Sequence, residues 1–203
     1  NQVVALTTTA VRGLTTDQVV ALTTNQAAAL NTQQVAAFGT DAIAALETAD
    51  FAALKTASVA ALSTGQVRAL TTDQIVALTT TEANALSSAQ VAALSTDAVA
   101  AMQTADLAAL KTSSFAGLST SQVAALTTDQ VKGLVTAQFA AMSTTNIASG
   151  LTTDQIVAMT SNQFAGLSSA QIGALSSNSI GAIETTDIGG ISTGGIAALR
   201  SVQ

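Results

Sequence analysis

Large apolar residues fall at every eighth position along the chain. Leu6, Leu14, Leu22, Leu30 and Phe38 open a series that keeps this spacing to Met142; one residue is then inserted, and the series resumes at Leu151 and runs on to Leu199. If this position is numbered zero, position five is again apolar, as at Val19, Val35, Ile43, Phe51, Ile75, Phe139 and Ile172, and it shrinks only to Ala27 and Ala83. Position seven is Ala or Gly, with Ser149 at the insertion, whereas position six admits Arg12, Arg68, Asn84 and Lys132. The pattern predicts a core built from positions zero and five, typified by Leu14, Val19, Leu22, Leu70, Ile75 and Leu78. It places position seven in an enclosed site and position six in solvent.

Each octad is predicted to form a short helix of one to two turns followed by a tight link. Position two is Thr or Ser in every copy, while position one tolerates Asn31, Gly39, Glu47, Lys55, Gln103 and Val135. A hydroxyl so strict beside a neighbour so loose points to a fixed hydrogen bond, and a helix N-cap is the natural one. Thr16, Thr24, Thr40, Thr56, Thr72, Thr96 and Thr128 are therefore expected to cap. Acids should then lie in the first turn, complementing the helix dipole. Ten of the twelve do, among them Asp17, Asp41 and Asp73 at position three and Asp50, Glu82 and Asp106 at position four; Glu47 and Glu184 depart from the rule.

A β-solenoid is the alternative, because Thr and Val favour strands. The Ala pair between the large residues argues for helix. So does the insertion, which changes the spacing from position five to the next position zero from three, at Phe139 to Met142, to four, at Ile147 to Leu151. Both spacings share a helix face, but only one parity shares a strand face. One long helix is excluded, since spacings of five and three do not follow a 3.6-residue period.

Two large side chains cannot offset the entropy of ordering eight residues, so octads must stack and cover one another. The expected fold is an all-α repeat, a solenoid or superhelix with one short helix per octapeptide, forming a single tract over 1–203. Residues 41–78 closely match residues 97–134, a shift of seven octads. An odd number of octads disfavours strict two-sided alternation and favours near-equivalent octads on a screw. Over 176–203 the unit degenerates, with Gly181, Gly189, Gly190, Gly194 and Gly195, which suggests a C-terminal cap or a joint. The N-terminus, which begins at Asn1 and shows no cap, suggests a segment of something longer.

Composition narrows the chemistry. The chain has no Cys, His, Trp, Tyr or Pro, and charged residues are 9%. Thiol nucleophiles, His bases and soft-ligand metal sites are excluded. A net charge of −6 argues against nucleic acid. Apolar runs such as 98–102 are far too short to span a bilayer. Carboxylate pairs such as Glu47 with Asp50 sit at predicted helix ends, where they serve the dipole and solubility, and Asp residues this scattered make a poor calcium cage. The expectation is no enzyme, no cofactor, no metal and no small-molecule substrate.

The phrase at 14–22, LTTDQVVAL, is similar to the helix opening of transcription activator-like effector repeats. That family has a repeat several times longer than an octad and is basic, so DNA binding does not carry over to an acidic octad tract. The octads LTTDQVVA and LSSAQVAA, covering nearly all of the chain, more closely resemble octapeptide tracts of very large secreted or surface proteins of bacteria. The resemblance implies an extracellular or cell-surface stalk, adhesin shaft or self-assembling fibre, partnered by its own kind or by flanking domains. Two other roles are open at this stage: a solenoid scaffold for protein partners, for which position six is the thin candidate surface, and a Thr array binding ice or another crystalline surface.

Overall fold

A computed structural model describes residues 2–201 and 203. Among these residues there are 23 short α-helices and no strand. The helices follow the octad one for one: Thr16–Val20, Thr24–Ala29, Thr32–Ala37, Thr40–Ala45, and so on to Thr193–Ala197. Each begins at position two and ends at position six or seven. Position zero then lies in or next to the link, with extended backbone where it caps the preceding helix, as at Leu30, Phe38 and Leu94. The fold is an all-α repeat solenoid, and the β alternative is set aside.

The inserted residue is absorbed within a helix. Asn146–Gly150 forms a π turn, in which the Leu151 N–H donates to the Asn146 carbonyl at 3.1 Å. One wider turn takes up the extra residue and leaves Ile147 and Leu151 both buried. A strand would have turned one of them outward.

The chain divides into two compact units, residues 1–111 and 112–203. The uninterrupted period had pointed to one tract, and no break in the octad marks the division at Lys111. Within each unit, helices three octads apart pack directly, as Thr32–Ala37 does on Thr56–Ala60 in the first and Ser161–Ala165 on Thr185–Ile188 in the second. The octads therefore wind as a screw, each coil resting on the one before. The Gly-rich stretch 176–203 still forms octad helices, at Ser177–Gly181, Thr185–Ile188 and Thr193–Ala197.

Positions zero and five fill the core as expected, with Val19 and Ile75 fully enclosed and Leu70 and Leu78 buried. Leu14 and Leu22 are only half-buried. They belong to the first coil, which has no earlier coil beneath it, and from Leu30 onward the same position is buried. Position five behaves in the opposite sense: it is buried from Val11 to Ile172 and becomes exposed at Ile188 and Ile196 in the last coil. Position zero is thus covered by the preceding coil and position five by the following one. Position six is mostly exposed, and position seven is half-buried rather than enclosed, because its small side chain borders the gap between coils.

Candidate functional site: a glutamine that joins coils

The capping residue is at position one, one residue earlier than the sequence reading placed it. Thr16, Thr24, Thr40, Thr56, Thr72, Thr96 and Thr128 are each the first helical residue, and the caps are Thr15, Thr23, Gly39, Lys55, Thr71, Ser95 and Thr127. The hydroxyls of Thr15, Thr71 and Thr127 accept from the backbone N–H of Gln18, Gln74 and Gln130. Position one has the extended backbone that an N-cap requires, whereas position two is already helical, and so only the former can aim its oxygen at the orphan N–H three residues on. The position-two hydroxyl can do something else: those of Thr136 and Ser161 donate to the carbonyls of Asn162 and Thr186 in the following coil.

Position four completes the cap. In Thr71/Gln74 the Gln74 Oε1 accepts from the Thr71 N–H at 3.0 Å, the reciprocal half of a capping box. The same pairing recurs at Ser63/Gln66, Ser87/Gln90, Thr152/Gln155, Thr160/Gln163 and Ser168/Gln171.

The other end of the glutamine reaches a different coil. Gln74 Nε2 donates to the carbonyls of Ile43 and Leu46, 31 and 28 residues earlier, at 2.8 and 2.9 Å. Gln66 makes the same pair of bonds to Val35 and Phe38, and Gln171 to Phe139 and Met142. The acceptors are always positions five and zero. These side chains are buried, Gln66 and Gln74 at 1% exposure, so each donor and acceptor is satisfied where water cannot replace it. Gln66 also lies over the link between Thr32–Ala37 and Thr40–Ala45, whose carbonyls face it. Successive coils are therefore staggered by about half an octad, and one coil takes between three and four octads.

Where position four is not Gln, position one usually changes with it. Glu47/Asp50, Lys55/Ser58, Gln103/Asp106 and Lys111/Ser114 lack the capping pair. Asp50 Oδ2 and Ser58 Oγ are buried without a partner, their side chains being too short to span the gap between coils. Glu82 keeps the cap, its carboxylate accepting from the Thr79 N–H. Burial raises the Asp106 pKa above the ordinary carboxylate value, and the charge of Glu82 raises it further.

No three acids among the described residues gather as metal ligands. The second unit carries an open groove of about 830 Å³ bordered by Lys132, Asp154, Ser161, Glu184 and Asp187, in which the Ser161 hydroxyl bonds the Asp187 carboxylate. Its single cation and three acids are solvated side chains of separate octads. No helix among the described residues is long and apolar enough to cross a membrane.

The model of the ALTTAQ repeat matches residues 1–32, 43–80, 99–136 and 149–182, well over half of the chain. The chain belongs to the ALTTAQ repeat family. Its six-letter description spans positions seven, zero, one, two, three and four, so it takes in both the cap and the joining glutamine. The second and third matched stretches, 43–80 and 99–136, begin seven octads apart, the same shift as the internal echo. No curated protein matches the chain.

Proposed function

We propose that this ALTTAQ repeat chain is a structural protein: an extracellular or cell-surface rod, used as a stalk, an adhesin shaft or a filament-forming element, without catalytic activity. The observation that supports the reading most directly is the position-four glutamine. One side chain caps its own helix and ties that helix to the coil below, and it recurs with no residue set singled out for chemistry. Binding energy is spent on the next coil of the same chain, as in solenoids whose job is to set a distance. The resemblance of the octads to tracts of bacterial surface proteins supports the extracellular placement.

Small-angle scattering of the dilute, purified chain tests the reading. An elongated particle is the expected result, and a compact globule overturns it.

A further inference from the structure

The first and last coils expose complementary halves of the joint that every inner coil satisfies internally. At the N-terminal side, Gln18 and Gln26 have no earlier coil in this chain to receive them. Their Oε1 atoms accept from Thr15 and Thr23 as usual, but Nε2 donates to no other described residue, and Gln18 is exposed. Leu6, Leu14 and Leu22 are half-uncovered beside them.

At the C-terminal side the deficit is reversed. The carbonyls of Ile188 and Ile191, and of Ile196 and Leu199, stand at positions five and zero, where inner coils receive a glutamine amide. No side-chain amide of the described residues reaches them. Ile188 and Ile196 are 45% and 46% exposed, against 0% for Phe164 and Ile172 at the same position one coil earlier. Large apolar side chains left open beside unfilled acceptors mark a face that is built to be covered.

From this match we infer that the last coil of one chain docks under the first coil of a second copy, head to tail. The registers agree. Gln18 and Gln26 are one octad apart, and so are the acceptor pairs at 188/191 and 196/199. Gln163 and Gln171 bond the pairs 131/134 and 139/142 in just this arrangement. Half-exposed leucines of one face meet exposed isoleucines of the other, as positions zero and five do inside each unit. The contact joins unlike faces and does not close on itself, so it propagates into a linear polymer. The inference rests on the structural reading above and supplies its partner: a second copy of this chain.

Two blocked chains test it. Replacing Gln18→Glu and Gln26→Glu keeps the caps, as Glu82 does at Thr79, but sets carboxylates against carbonyls. Replacing Ile188→Lys and Ile196→Lys charges the other face at exposed positions. In sedimentation velocity the unmodified chain should grow in size with concentration. Each blocked chain alone should stay monomeric, with unchanged helical circular dichroism, and an equimolar mixture of the two should stop at dimers through the one intact pair of faces. An unmodified chain that is monomeric at every concentration overturns the inference, meaning that something other than a second copy covers these faces. Polymers that persist in both blocked chains overturn it as well. An elongated monomer in scattering would leave the structural reading standing even then, whereas a compact particle would remove that reading by itself.

Discussion

The side-chain amide of Gln74 donates to the Ile43 carbonyl at 2.8 Å, across the boundary between two coils and 31 residues back along the chain. The bond makes a residue in the first turn of one helix responsible for the C-terminal end of another. Truncation therefore has two costs. Gln74→Ala removes the cap acceptor and leaves two buried carbonyls without their donor, a loss on the order of 1–3 kcal/mol in urea unfolding. The matched change Gln18→Ala, at an exposed copy with no coil beneath, should lose only the capping part, about 1 kcal/mol or less.

The location of the cap is tested by adjacent hydroxyls. Thr71→Ala should destabilise by about 1 kcal/mol, since Thr71 accepts the Gln74 N–H. Thr72→Ala, at an exposed first helical residue, should stay within about 0.5 kcal/mol. Thermal melts of the two variants should rank them in that order.

Asp106 makes the first unit sensitive to pH. Its native pKa lies above the unfolded value of 3.8, through burial first and Glu82 second. Below 3.8 both states are protonated and the group imposes no penalty. As pH rises above that value the unfolded state ionises first, so stability falls until the native carboxyl has also lost its proton. Asp106→Asn should be more stable than the unmodified chain at neutral pH, with the difference shrinking as the pH falls to the unfolded value and below, in urea titrations at a series of pH values.

Gly190 is needed for close approach. A methyl group there would run into the backbone carbonyl of Ser161 in the preceding coil. Gly190→Ala should cost about 1–3 kcal/mol, whereas Gly181→Ala, with open space at the same site, should be close to neutral. Circular dichroism melts separate the two.

Much of this architecture is legible in the residues. The apolar pair at zero and five identified the core, and the spacing change at Ile147 identified helix, since only a helix could absorb it. The cap was misplaced because constancy at position two was taken for capping. The better signal was a Ser or Thr followed three residues later by Gln, as in Thr71/Gln74, together with its joint loss at Lys55/Ser58. Burial of Gln74 could not be read, because a glutamine in a first turn is ordinarily solvated. Only the preceding coil, distant in sequence, encloses it, and coil geometry is set by packing rather than by local pattern. The half-exposure of Leu14 has the same origin, since an octad cannot reveal whether anything lies beneath it.

The half-octad stagger seen at Gln66 governs how such a chain can change length. Removing one octad would rotate everything downstream by roughly a quarter to a third of a coil and move each glutamine off its carbonyls, whereas removing seven, at three and a half to the coil, would return every side chain to its former bearing. A gene encoding these octads is therefore freest to expand or contract in blocks of seven octads, and the echo between residues 41–78 and 97–134 has the form such a duplication would leave.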